Sequence, residues 1–599
     1  MKNRKRRLVV IGLLCPAAGL TLAVGWPAYL GLSVWSHLEA AEDALERLRS
    51  SDRSGAAAAL ADAQRHAEEA RRITSGEEWS LIGRVPPMEE GAATVRGLAV
   101  AAADLTGVLT DVHGVVTKLI SVKGLSLDNV ETLPASLESA TPVLRDAAGR
   151  IEQIRSGLAA TPADSGLDAL NQARATALSD LDKLRDWLEA ANDPMVRDTA
   201  AMLPEMLGYN GPRRYFLAFQ TNAEARGTGG LIGAFGILKA DRGHLNIERL
   251  SPNNGLESGS VQVTHHGRAF HERYGPSPTG LLANSNLSPH FPYAAKTWTA
   301  LWKHQTGEQL DGAIATDPVA LSYLLKVIGP VTLANGEKVT AENVVDLTER
   351  EAYARYADAR ERKAFLITIA SAVSNAITSA HPDPLALVSA LSQMVEERRI
   401  QIWSHKGYEQ RRLAATPLGG VLPRKPGPFA GLMIINSAGT KLDYYLDRSL
   451  DYALGPCRAD GQRATKVRIR LTNNVPPQTL PTYVSARLDV PAEHRAAKPN
   501  GSNLLWVSFY TAVEAKVEAM RVDGKPARIV RQTERSHPVY NNLLEFAPRQ
   551  SRTIEFDLLE PYSAASPEVP VQPLVRPQHN RITDDRTGCP VQPSDRDVQ

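Results

Sequence analysis

Residues 214–236 read Arg-Tyr-Phe-Leu-Ala-Phe-Gln-Thr-Asn-Ala-Glu-Ala-Arg-Gly-Thr-Gly-Gly-Leu-Ile-Gly-Ala-Phe-Gly. Arg214 to Gln220 is a compact apolar strand, and Ile232 to Leu238 is a second one. Between them stand Asn222, Glu224 and Arg226, followed by a run of glycines. Gly227-Thr-Gly229 invites a dinucleotide-binding reading, but that motif must open a helix whose N-terminus holds the pyrophosphate. Here the glycines run into a strand, which argues against a nucleotide. Two readings of the loop stay open. In one, Arg226, Gly227, Gly229 and Gly230 hold an anion, because glycine lets backbone N–H groups approach a phosphate and a guanidinium adds charge-assisted bonds. In the other, the segment is a glycine-rich β-arch and Arg226 pairs internally with Glu224.

Downstream, Gly312 to Ala315 is a third strand. Helical stretches run over Tyr293–Gln305, Pro318–Val327, Ala341–Tyr356 and Arg360–Ser379. Strands mixed with helices predict an α/β layered core domain over 211–455. Asp317-Pro318 has the form of an N-cap with proline at the first helical position. Arg350, Arg355, Arg360, Arg362 and Lys363, with Asp358 and Glu361 among them, form either a solvated helix face or a second source of cations. Asn222, Glu224 and Asp311 are the candidate metal ligands. His265, His266 and His271 sit among loop residues. From 456 to 560 the texture alternates, as at Val467, Ile469 and Leu471, and Val522-Asp-Gly-Lys525 carries a tight-hairpin signal. These features predict a small C-terminal β-sandwich followed by an irregular Pro-rich tail over 561–599. Cys457 and Cys589 are expected to pair in an oxidising compartment.

Upstream, residues 36–203 read as helices. Leu38, Ala41, Leu45 and Leu48, then Leu60, Ala63, Ala67 and Ala70, give an apolar seam of the kind found in a short coiled coil or helical hairpin. A helical stalk or bundle is expected. Residues 1–7 carry Lys2, Arg4, Lys5, Arg6 and Arg7, and no charged residue occurs from Leu8 to Ser36. A helix needs about 20 apolar residues to cross a bilayer, and cations ahead of a span stay cytoplasmic. Residues 8–34 are therefore predicted to be a single uncleaved transmembrane anchor behind a short cytoplasmic tail, with the bulk of the chain extracytoplasmic. Formal net charge over the 599 residues is +2, which excludes a strong field for nucleic acid. The fold class expected is multidomain α+β.

Residues 214–236, with Asp311-Gly-Ala-Ile-Ala-Thr-Asp-Pro318, Gly329-Pro-Val331 and Lys441-Leu-Asp-Tyr-Tyr-Leu446, resemble the signature of domain-of-unknown-function family 4012 over about 79–513. That family name carries no activity. A more distant similarity is to the LytR–CpsA–Psr enzymes, which transfer glycopolymers from polyprenyl-pyrophosphate carriers to the cell wall with a divalent metal. Gly329-Pro-Val331 followed by Asp358-Ala-Arg-Glu-Arg-Lys363 is similar in order and spacing. Arg226-Gly-Thr-Gly-Gly stands where that family has Arg-x-x-Asp-Thr, without its metal-binding Asp. This similarity implies a phosphate pocket of Arg226, its glycines, Arg355, Arg360 and Arg362. Its ligand would be a polyprenyl-phosphate glycolipid or cell-wall polymer, and its cofactor a divalent metal, although no cofactor motif is evident. The alternative is a non-catalytic structural or interaction protein of the cell envelope.

Overall fold

The computed structural model describes residues 25–48, 53–86, 88–119, 133–192, 201–254, 256, 261–380, 382 and 384–590. The basic tail and residues 8–24 of the expected anchor lie outside the described residues. The chain divides into two compact units, meeting in sequence at Pro204 and Glu205.

The first unit is helical: α1 (Gly25–Leu48), α2 (Arg53–Ser75), α3 (Glu77–Ile82), α4 (Glu89–Leu119), α5 (Leu133–Ala159) and α6 (Asp168–Ala191). The alanines of the seam explain the packing of the first helices. Ala41, Ala67 and Ala103 are buried together and let three backbones approach closely. Leu30, Val34 and Leu38 of α1 share a buried cluster with Ala70, Trp79, Ala92 and Ala99, so from Leu30 onward α1 faces protein. The Trp79 indole donates to the Ala92 carbonyl at 3.1 Å, which satisfies its one polar atom. Among the described residues one helical stretch, Glu89–Val115, is long and apolar enough to cross a membrane. It is a helix of this bundle, and its Leu98, Ala101 and Val108 are buried with Leu144, Ile151 and Leu188 of α5 and α6.

The second unit begins with a five-stranded sheet of order β3-β2-β1-β4-β7. Its strands are β1 (Arg213–Arg226), β2 (Gly229–Asp241), β3 (His244–Pro252), β4 (Gly312–Thr316) and β7 (Gln401–Ser404). The short pair β5 (Val331–Thr332) and β6 (Lys338–Val339) stands apart. β1 is antiparallel to β2 and parallel to β4. The glycines after Arg226 thus turn a hairpin. The helix Phe291–Thr306 covers this sheet, burying Phe291, Trp298 and Trp302 with Phe216, Ile232 and Phe235, and ends at Gly307 in the left-handed conformation.

Two further sheets lie face to face. One has the order β13-β12-β16-β10-β9-β17 and the other β14-β15-β11-β8. The ranges are β8 (Ala430–Asn436), β9 (Leu446–Cys457), β10 (Gln462–Asn473), β11 (Asn503–Thr511), β12 (Lys516–Val522), β13 (Lys525–Pro526), β14 (Arg531–Glu534), β15 (His537–Phe546), β16 (Ser551–Pro561) and β17 (Gln578–Asp584). Their inner faces form one core that includes Leu450, Tyr452, Ile469, Val507, Phe509 and Phe556. At the β12–β13 turn Asp523 and Gly524 have φ of 52° and 74°, the two positive angles an Asp-Gly hairpin requires.

Two boundaries differ from the sequence reading. The sandwich starts at β8 and β9, not at residue 456. β8 is buried on both faces and so shows no alternation, and β9 alternates but places Arg448 inward among its apolar residues. Part of the Pro-rich tail is also regular where irregular chain was expected, since β17 lies within it, and residues 591–599 lie outside the described residues. Gln572 and Leu574 are buried, and β17 pairs in parallel with β9. Leu574 joins the sandwich core and Gln572 bonds to backbone, in a proline-interrupted run that carries no strand or helix period. Cys457 and Cys589 are joined by a disulfide, Cα atoms 4.8 Å apart.

Candidate functional site

β1 keeps its parallel partner β4 only as far as Phe219. Beyond it the register with β2 is broken between Thr221 and Ala225, and the freed backbone needs other acceptors. Carboxylates supply them. The Asn222 and Ala223 N–H groups donate to Glu349 at 3.1 and 2.9 Å, and the Ala225 N–H donates to Asp443 at 2.7 Å. Asn436 and Asn503 also donate to Asp443, at 2.9 and 2.8 Å. Glu349 and Asp443 act as strand partners made from side chains.

Glu224 lies within the same bulged segment. Its carboxylate accepts from Arg226 at 2.8 Å and from the Lys441 ammonium. Arg226 also donates to the carbonyls of Ala225 at 3.0 Å, Ala283 at 3.3 Å and Asn436 at 3.4 Å. Glu224, Arg226 and Lys441 are all buried. Burial alone would raise the Glu224 carboxyl, but Lys441 and Arg226 hold it below its ordinary value. Among the described residues no such cation is bonded to Glu349 or Asp443. Burial pushes Glu349 up to about 8 and Asp443 up to about 6, against the bonds from backbone N–H groups. Asp317 caps its helix by accepting from the Ala320 N–H at 2.8 Å, and Arg399 donates to it at 3.0 Å. The Pro-rich tail enters here as well. Asn222 donates to the Pro573 carbonyl at 2.7 Å, Arg399 to that of Leu574 at 3.1 Å, and Gln572 to that of Arg226 at 2.7 Å.

The sequence-derived sites are redistributed by this arrangement. Arg226 is bonded internally. Gly227 is packed so tightly that a Cβ would lie 2.2 Å from the Leu287 carbonyl oxygen, and one on Gly230 would lie 2.1 Å from that of Thr221. A Cβ on Gly229 would lie 3.2 Å from the Pro573 carbonyl oxygen. These glycines are required by close packing of backbone on backbone. Arg355 is half-exposed and paired with Glu337 and Glu351 at 2.6 and 2.5 Å. Arg360 is exposed. Arg362 is buried, with its guanidinium 3.7 Å from the centre of the Tyr483 ring and a 2.8 Å bond to the Tyr356 carbonyl. Lys441 stands 5.6 Å from the same ring, so Tyr483 links Arg362 to the Glu224 network, whereas Arg355 and Arg360 do not join it.

The proposed metal ligands do not meet. Asn222 bonds Pro573, and Glu224 is held by two cations. Asp311 sits at the opposite end of β1, pairing with Arg213 at 3.0 Å and accepting from the Arg214 N–H. Ten residues of strand separate it from Glu224, roughly 30 Å. Among the described residues no group of three or more His, Cys, Asp or Glu is placed to hold a metal ion. His266 packs on Phe270 and Tyr293, and burial lowers it to about 4.

Sequence reasoning missed Glu349, Tyr483, Arg399 and Gln572. It quoted Lys441 and Asp443 only within a signature. The signal that could have found Lys441 and Asp443 is their place in Lys441-Leu-Asp443, two charged groups beside an apolar run. Glu349 sits in the mixed-charge run Glu349-Arg-Glu351, which gives no sign of burial. No curated protein and no solved structure matches the chain. Residues 210–353, under half of the chain, match the family described as "Protein of unknown function (DUF4012)", and this segment supplies β1, β2, Asp317 and Glu349 to the network.

Proposed function

We propose that this protein is a non-catalytic structural or interaction protein of the cell envelope, held at the membrane by the uncharged run that begins at Leu8 and ends before the buried Leu30, with its bulk outside the cytoplasm. The observation that carries the reading is the buried Glu224–Arg226–Lys441 cluster, in which the cation best suited to bind a phosphate is instead bonded to its own chain. Partners of this quality make the segment a clamp: it joins the first sheet, the helix around Glu349, the sandwich and the C-terminal tail. The extracytoplasmic placement is supported by the basic residues ahead of an uncharged run and by the Cys457–Cys589 disulfide, since such bonds persist in oxidising compartments. The test uses the full chain in detergent with a labelled polyprenyl-pyrophosphate oligosaccharide and Mg²⁺. The expected result is no cleavage above a protein-free control. Release of the polyprenyl carrier by wild-type protein would overturn the reading in favour of glycopolymer transfer.

A further inference from the structure

The pairings within the helical unit show which of its ends the uncharged N-terminal run enters. α2 runs antiparallel to α1: Arg47 pairs with Asp62, and His37 Nδ1 lies 3.1 Å from His66 Nδ1. α4 then runs back alongside α1. Ala103 is buried with Ala41 and Ala67, and Ala92 and Ala99 share the cluster of Leu30, Val34 and Leu38. At about 1.5 Å per residue, Met88, about fifteen residues before Ala103, comes level with the start of α1 at Gly25. The α2–α3–α4 corner therefore lies at the end of the bundle that the uncharged run enters. The α5–α6 loop reaches the same end. The Thr94 hydroxyl donates to the Pro162 carbonyl at 3.4 Å, and a Cβ on Gly97 would lie 2.4 Å from the Thr161 methyl group.

Exposed apolar side chains gather at this end. Among the described residues of the helical unit, large apolar side chains are exposed at Leu32, Leu81, Val85, Met88, Leu167 and Trp187. All but Trp187 lie at the end nearest the uncharged run. Trp187 stands on the order of 30 Å further along α6. Leu81 is 59% exposed and Val85 50%. The corner that carries them is firmly held, because Trp79 is buried with Leu30 and Val34 and bonded to the Ala92 carbonyl. Apolar side chains concentrated in this way on a solvent face mark a contact with another apolar phase or molecule.

The length of the uncharged run identifies what covers them. About 20 helical residues cross the hydrocarbon core, so a span beginning at Leu8 reaches the outer headgroup layer near residue 28, which is the level of the corner. The charges favour lipid of low net charge. Glu77, Glu78, Glu89 and Glu90 are exposed on either side of the corner and would repel an anionic surface, whereas Leu81 to Met88 carry one charge, Arg84. Intrinsic affinity can be weak, since a span in the same chain keeps the corner at high local concentration beside the bilayer.

We infer that Leu81, Val85 and Met88 of the α3–α4 corner, with Leu167 at the same end, form a membrane-contact surface that seats the helical unit on the outer face of a phospholipid bilayer of low net charge. The inference rests on the reading of the uncharged run as an anchor. A second contact, fixed to α1 through Trp79, limits the tilt that one span alone leaves open.

The test uses the full chain carrying C15S, reconstituted in phosphatidylcholine vesicles. Cys457 and Cys589 are bonded to each other, so an added cysteine takes the label. An environment-sensitive dye is attached at V85C or, as the distal control, at W187C, and part of the lipid is replaced by brominated phosphatidylcholine. The dye at 85 is expected to lose fluorescence to the brominated lipid and the dye at 187 to keep it. L81S together with M88S should reduce the quenching at 85. Equal quenching at the two positions, or none at 85 in chains that stay with the vesicles through alkaline extraction, would overturn the contact and leave the anchor standing. Release of the chain by that extraction would remove the anchor and the inference with it. A disulfide-linked dimer through unlabelled V85C, without quenching of the labelled protein, would assign the corner to a second copy and overturn the inference as well.

Discussion

The arginines around Glu224 and those on the 350–363 helical stretch make a useful contrast. Both sets come from charge-rich sequence. Arg226 is buried, shares a carboxylate with Lys441 and is bonded to three carbonyls. Arg355 is half-exposed and meets two half-exposed acids, and Arg360 lies in solvent. In the buried set each charge depends on its partners, because an uncompensated ion in the interior costs several kcal/mol. In the exposed set water replaces any partner that is lost. Charge in the sequence is therefore no guide to charge available to a ligand. Arg362 shows this from within the second set: it is one turn from Asp358 yet stacked on Tyr483 and fully enclosed.

The largest effect should come from removing the carboxylate that the buried cations share. E224A leaves Arg226 and Lys441 without it, and denaturant unfolding should show a loss of about 3–5 kcal/mol. A loss below 1 kcal/mol would mean that the network is solvated.

A smaller, pH-dependent effect should come from Glu349. Its carboxyl is raised from an ordinary value of 4.5 to about 8, so between those values the folded protein binds a proton that the unfolded chain has released. The stability it contributes is full below about pH 4.5 and is lost as pH rises through 8, at most about 1.4 kcal/mol per pH unit. Asp443, raised to about 6, acts in the same direction over a narrower window. E349Q should therefore fall less steeply in stability from pH 5 to pH 8 than wild type. Parallel pH curves for the two proteins would show that Glu349 is ionised throughout.

The smallest effect belongs to the exposed arginines. R355A should change stability by about 0.5 kcal/mol or less, and added salt should weaken whatever remains. A loss as large as that of E224A would erase the contrast between the two sets.

Much of the fold was legible because it rests on local patterns. The glycines after Arg226 ran into an apolar strand and turned a hairpin. Asp317-Pro318 capped a helix, and Asp523-Gly524 made a tight turn. The sandwich was visible where apolar and charged residues alternate, as in β10, and hidden where burial is two-sided, as in β8. The site was legible only in part. Glu224 and Arg226 are two residues apart, so their pairing was one of the readings the sequence allowed. Glu349, Lys441 and Pro573 reach the same strand from 126, 217 and 351 residues away, through one or two hydrogen bonds each that leave no period in the sequence. The tail was misread because prolines interrupt its apolar residues, so Gln572 and Leu574 are buried without a strand or helix period to announce them.

The central claim is that Arg226 is an internal structural partner. R226A in the full chain, measured for thermal unfolding and for binding to polyprenyl phosphate in detergent micelles, tests it directly. The account predicts a midpoint well below that of wild type, because Glu224 loses one of its two cations, and no affinity for the lipid that depends on Arg226. An unchanged midpoint together with the loss of measurable lipid binding would contradict it.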